Sequence, residues 1–244
     1  MNKSDEYFDE VSRLLKTAQQ TQREPIRQAV EAVAAALSQG GTVFAFGTGH
    51  SHMLAEELFY RAGGLVRVYP ILDDPLMLHI NASRSSRMER LPGYAATLLE
   101  DGPELHTGDV MFIFSNSGRN AVPVEMALEA KKRGLCVICI TNLTHSRSVS
   151  SRHASGKKLF EVSDIVIDNG GAIGDAAIRV GETVCSPTST VIGAAILQAI
   201  VCGVVERMQE DGTVPEVFSS SNIDGGDEIN EQYIRRYRSK IRFL

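Results

Sequence analysis

Short unbroken apolar runs recur along this chain, and between them apolar residues fall three or four positions apart. Val43-Phe44-Ala45-Phe46 and Met111-Phe112-Ile113-Phe114 are two such runs, and 135–140 is a third. Continuous runs of this length predict strands buried on both faces. Phe8, Val11, Leu14, Leu15 and Ala18 have helical spacing, predicting a helix over 7–20. Pro25 suits the first turn of a second helix, ending near 37 and closed by Gly40-Gly41.

Read onward, the pattern predicts a strand at 42–46, a helix at 52–62 and a short strand at 65–69. The segment 70–108 is irregular, with a helical patch at 76–80 and a helix from Pro92 to about 100. A strand at 109–114, a helix at 121–133 capped by Asn120, and a strand at 135–141 follow. After a polar loop at 146–158 come a strand at 164–167 and an extended piece at 178–184. A long apolar helix at 188–210, an irregular stretch at 214–226 and a charged helix at 227–240 complete the chain.

Strands alternating with helices mean βαβ units, hence an α/β fold with a parallel sheet in a three-layer αβα sandwich. Ligands of such sheets lie at the carboxyl ends of the strands. Two loops emerge there, each between an apolar run and a helix. One is Gly47-Thr48-Gly49-His50-Ser51, the other Ser115-Asn116-Ser117-Gly118-Arg119-Asn120. Such loops offer backbone N–H groups and a helix's positive end to an anion. Thr188, Ser189 and Thr190 add hydroxyls where the long helix begins. Each hydroxyl alone also fits helix capping or a turn. Three clusters in this order predict one phosphate site, with Arg119 able to add charge-assisted bonds. A dinucleotide fingerprint is half matched, because His52 replaces the third glycine, and no Lys-Ser/Thr pair of a P-loop is present.

Composition narrows the partners. The 244 residues carry a net charge of -5 and no long basic run, which argues against nucleic acid. No apolar run approaches the roughly 20 residues that span a bilayer, and 1–10 is polar and acidic, unlike a signal peptide. No membrane partner and a cytoplasmic location are expected. Cys136, Cys139, Cys185 and Cys202 lie in apolar surroundings and read as core thiols. Cys136 and Cys139 fall on one strand and point to opposite faces, unlike a redox or zinc pair.

Phe46-Gly47-Thr48-Gly49-His50-Ser51, Phe114-Ser115-Asn116-Ser117-Gly118 and Thr141-Asn142 resemble the SIS (sugar isomerase) domain, over roughly 24–210. Within it, the chain resembles single-domain bacterial proteins similar to phosphoheptose isomerase. The ending Asn222-Ile223-Asp224-Gly225-Gly226-Asp227 resembles a subgroup of these. The resemblance implies a five-stranded parallel sheet of flavodoxin-like order and a sugar-phosphate ligand. It also implies a homodimer or homotetramer with sites near the interfaces. Ser51, Ser115, Ser117 and Thr190 would be phosphate ligands. The expected organisation is one SIS domain over 1–244, with N-terminal helices (about 1–38) and a C-terminal helical tail (about 212–244).

Isomerisation needs a base beside a carbonyl and an acid at the oxygen. Ala55-Glu56-Glu57-Leu58 resembles the segment whose second glutamate is catalytic in phosphoheptose isomerase, making Glu57 the leading base. That segment lies about four residues nearer the loop here. That isomerase also uses a histidine on the long helix, and 188–210 contains none, so no metal and no cofactor are expected. His52 could carry a proton or donate to substrate. His79 and Glu89 lie where related enzymes place site residues. An isomerase is the expected function; a sugar-phosphate lyase or a non-catalytic phosphosugar sensor are the alternatives.

Overall fold

The computed structural model describes residues 2–244. Two helices come first, α1 (Lys3–Thr21) and α2 (Arg23–Ser38). Then come β1 (Val43–Gly47), α3 (His52–Leu58), β2 (Val68–Ile71), α4 (Leu78–Met88) and α5 (Tyr94–Glu100). The middle of the chain is β3 (Val110–Phe114), α6 (Ala121–Lys132), β4 (Cys136–Thr141), α7 (Leu143–Ser148), α8 (Leu159–Val162) and β5 (Ile165–Asp168). A hairpin, β6 (Ala176–Val180) and β7 (Thr183–Pro187), precedes α9 (Ser189–Glu210) and α10 (Gly226–Tyr237).

Five strands pair in parallel in the order β2-β1-β3-β4-β5, the flavodoxin-like order. Alternate strand residues feed two cores. Ala45, Phe112, Phe114, Ile138 and Ile167 pack under α1, α2, α3 and α9. Phe44, Phe46, Met111, Ile113 and Cys139 pack under α5, α6 and α8. The period-2 geometry of strands therefore makes the three layers.

Several local expectations change. Helix α3 stops at Leu58, because Phe59 turns extended and Tyr60 has φ 40. Leu65 bridges Val217 instead of joining the sheet, and β2 starts at Val68, with Pro70 tolerated on the edge strand. The polar loop begins as helix α7. The extended piece at 178–184 is the tip of an antiparallel hairpin, turned at Gly181 with φ 59. Cys202 is exposed on α9, not a core thiol, whereas Cys139 is fully buried and its thiol is pushed up to about 12 by that burial. Helix α9 is also long and apolar enough, by length and composition, to cross a bilayer, contrary to the reading of the runs. In this structure one face of it packs against α2 and α3 and another is exposed.

Candidate functional site

The loop after β1 needs glycine for a steric reason. A Cβ on Gly47 would stand 2.5 Å from the carbonyl carbon and oxygen of Ser51. The chain folds back on itself there, and Gly49 takes φ 56 to begin a short 3-10 turn. This turn places Ser51 at the start of α3, and Ser51 makes no capping bond with its side chain. The loop after β3 is closed by the Gly118 amide donating to Ser115 Oγ at 3.2 Å. The oxygen accepts, so the hydroxyl proton of Ser115 stays available.

Ser51, Leu54, Phe114, Ser115, Asn116, Ile140, Asn169, Ser189 and Thr190 line one cleft at the carboxyl ends of β1, β3 and β4. Ser51 and Ser115 thus face a shared space, together with the first turn of α9. The cleft is narrow, about 20 Å³, enough to seat an oxygen atom rather than a whole phosphate. A larger cavity of about 610 Å³ lies at the opposite, amino edge, around Thr42, His106, Asp109 and Arg242. The position of binding sites in parallel sheets favours the smaller cleft.

The amino end of α9 is already partly served. Asp175, at φ 72 before the hairpin, accepts from the amides of Thr188 at 3.2 Å and Ser189 at 2.9 Å. It also accepts from Ser189 Oγ at 2.5 Å. The hydroxyl expected to serve a ligand phosphate is therefore turned to an internal carboxylate. The helix ladder begins with Ile192 N donating to Thr188 O, so the Thr190 and Val191 amides precede it.

The remaining residues fall into three groups. Thr48 Oγ1 donates to Glu89 Oε2 at 2.8 Å, joining the glycine loop to the end of α4. His52 is buried, hydrogen-bonded through Nδ1 to the Gly49 carbonyl, with its ring 6.4 Å from that of His79. A carbonyl only accepts, so Nδ1 carries the proton and Nε2 lies 3.7 Å from Glu56. These residues gather on the loop's outer side. Glu57 stands apart, bound by Arg61 and by Gln198 Nε2 at 3.0 Å. Gln198 lies roughly 13 Å further along α9 than Ser189, at the rise of an α-helix. Arg119 is held by Ser150, with Nε 2.9 Å from its carbonyl, and Thr188 is fully buried behind Gly171. Neither lines the cleft. Ser117 is half-buried in the second loop.

Two residues of the site escaped the sequence reading. Asn169 Nδ2 donates to Asn116 Oδ1 at 2.9 Å, and Asn169 lines the cleft. The Asp168-Asn169-Gly170-Gly171 run marked only a strand end. Asp175 is the other, with no motif to announce it. Asn120 precedes α6 as expected but makes no capping bond with its side chain; its Oδ1 accepts from Arg152 Nη1. Among the described residues no group of three or more His, Cys, Asp and Glu side chains converges as metal ligands would.

Comparison with known proteins agrees with this fold. A family model described as the SIS domain matches residues 6–142. A UPF0309 protein of Geobacillus thermodenitrificans is 45% identical over 242 residues, covering 98% of this chain and 97% of the relative. A phosphoheptose isomerase from Francisella tularensis superposes with a TM-score of 0.56 at 17% identity, covering 84% of this chain and 97% of that one. The Vibrio vulnificus NanR protein complexed with ManNAc-6P gives a TM-score of 0.55 at 20% identity, over 96% of this chain and 70% of that one.

Proposed function

The chain belongs to the SIS-domain family and to its UPF0309 relatives, and from that premise we propose that it binds a sugar phosphate and isomerises it between aldose and ketose. The observation that carries the reading is the shared cleft of Ser51, Ser115 and Thr190 at the carboxyl edge of the sheet. The phosphate seats an oxygen in that cleft, bonded by these hydroxyls and by the amides that open α9. The sugar then extends over the glycine loop, toward Glu89 and the His52–His79 pair.

Glu89 is the base in this reading. Thr48 fixes one of its oxygens and leaves the other for the proton beside the carbonyl. His79 is exposed next to the buried His52 and is placed to serve the substrate oxygen. The test is binding and turnover together: thermal shift with hexose and heptose phosphates, then exchange of the substrate proton with solvent deuterium.

One observation favours a second reading. Glu57, the leading base by resemblance, is tied to Arg61 and Gln198 rather than free. A sensor that binds sugar phosphate without turnover would tolerate that. NanR, a structural neighbour, is described in complex with ManNAc-6P, and so binds such a ligand. Ligand-induced stabilisation with no deuterium exchange would support this reading over the first.

The protein acts as a homo-oligomer in this account. Ala195 and Ala199 of α9 line an apolar groove of about 380 Å³ with Leu15 and Ile26. Val191 and Leu15 are exposed along the same face. A second copy covers that face, next to Thr190 and hence next to the site.

A further inference from the structure

Three arginines lie around the turn between the second loop and α6. Arg119 belongs to that turn. The Arg152 amide donates to the Arg119 carbonyl at 2.7 Å, and Arg152 Nη1 donates to Asn120 Oδ1 at 2.8 Å. From the other side, the Val122 amide donates to the Glu89 carbonyl at 3.1 Å, which brings Arg90 alongside. Among the described residues none of the three guanidiniums pairs with a carboxylate within 4.0 Å; the ion pairs around them involve other groups. Among the described residues the Arg119 guanidinium reaches only Ser150, and that of Arg152 only Asn120. Of the acids nearby, Glu89 is turned to Thr48, and Glu125 accepts from the Gly93 amide at 2.9 Å and stands 3.8 Å from His153 Nε2. The crowding is felt electrostatically: Arg152 is held below the usual arginine range, first by burial and then by Arg119 and Arg90. Three arginines, with both nearby acids engaged elsewhere, leave a site poised for an anion.

This patch is not the phosphate cleft, whose lining contains no arginine. It adjoins that cleft through both loops, by Thr48–Glu89 and by Ser117-Gly118-Arg119. We propose that Arg90, Arg119 and Arg152 form a second anion site beside the phosphate cleft, so that the ligand class bound most tightly is a sugar phosphate with a second anionic group, a carboxylate or another phosphate. The proposal rests on the phosphate-cleft reading above. It adds a specificity that the cleft alone cannot supply, because a cleft for one phosphate treats all its esters alike.

The test measures dissociation constants by calorimetry for three probes: a hexose 6-phosphate, the matching aldonate 6-phosphate and a hexose 1,6-bisphosphate. At least one of the two doubly anionic probes binds at least about tenfold more tightly than the first, the gain expected of one charge-assisted contact set. The two arms separate carboxylate from phosphate as the second group. R90Q and R152Q, singly and together, remove that gain while the hexose 6-phosphate constant stays within about twofold. Circular dichroism melts establish that the variants are folded. Equal affinity for all three probes overturns the second site and leaves the phosphate cleft standing. So does an equal loss on every probe in R90Q and R152Q, which marks a diffuse field. No binding of any probe overturns both.

Discussion

Thr48 donates its hydroxyl to Glu89 at 2.8 Å across forty-one residues of chain. The bond joins the glycine loop that follows β1 to the end of α4, an irregular region with no motif of its own. It fixes a carboxylate beside the glycine loop, and the proposed isomerisation needs a base. Glu89→Gln keeps the hydrogen bond to Thr48 and removes the base. The expected outcome is loss of solvent-deuterium exchange by at least about a hundredfold, with ligand affinity within a few fold. Glu57→Gln in the same assay separates the two glutamates: unimpaired exchange there assigns the chemistry to Glu89, and loss only in Glu57→Gln assigns it to Glu57.

Gly47 answers a different question, whether the loop must fold as tightly as it does. Its absent Cβ leaves room for the Ser51 carbonyl at 2.5 Å. Gly47→Ala forces that backbone outward and carries Ser51 with it. The variant is expected to lose about 1–3 kcal/mol of folding stability and to bind sugar phosphate much more weakly. Chemical denaturation with and without ligand checks both. Unchanged affinity would show that Ser51 does not contribute.

The rim of the second core carries a half-buried acid with a phenol. Tyr94 Oη donates to Asp73 Oδ2 at 2.7 Å. Burial, then this bond to Asp73, raises the phenol well above its ordinary value of 10.0. A group raised in the folded state stabilises below its unfolded value and loses that contribution as pH climbs past it. Wild-type stability is therefore expected to fall above about pH 10, with part of that fall absent in Tyr94→Phe. At neutral pH the same variant leaves Asp73 unpaired and costs about 1–3 kcal/mol. Denaturation midpoints at neutral and alkaline pH measure the two effects.

The uncovered face of α9 tests assembly. Ala199 is exposed and lines the apolar groove beside Ile26. Ala199→Glu puts a charge into the contact a second copy would make, which weakens it by at least about a hundredfold. Light scattering is expected to give an oligomer for wild type and a monomer for the variant, both folded. A wild-type monomer removes the oligomer from the account.

Much of this architecture was legible because burial on both faces leaves unbroken apolar runs. Phe112 and Ile113 sit in different cores, yet both had to be apolar, so β3 announced itself. The turns Gly47 to Ser51 and Ser115 to Gly118 were legible too, since small residues between a strand and a helix have few other uses. The hairpin was not, because Val180 and Val184 are exposed apolar residues with no alternation to betray two strands. Asn169 and Asp175 were illegible for a related reason: their partners, Asn116 and Ser189, are set by topology rather than by spacing. The end of α3 turned on Tyr60 adopting a positive φ, which no side-chain pattern records.

The claim on which the rest stands is that Ser51, Ser115 and Thr190 hold one phosphate. The most direct measurement is thermal unfolding of wild type, Ser51→Ala and Thr190→Val with a hexose 6-phosphate and with the free hexose. At about a hundredfold excess over its dissociation constant, the phosphate is expected to raise the wild-type Tm by roughly 5–10 °C, each variant losing at least half of the rise. The free hexose is expected to do nothing. Equal shifts in all three proteins, or none with any sugar phosphate, would contradict the account.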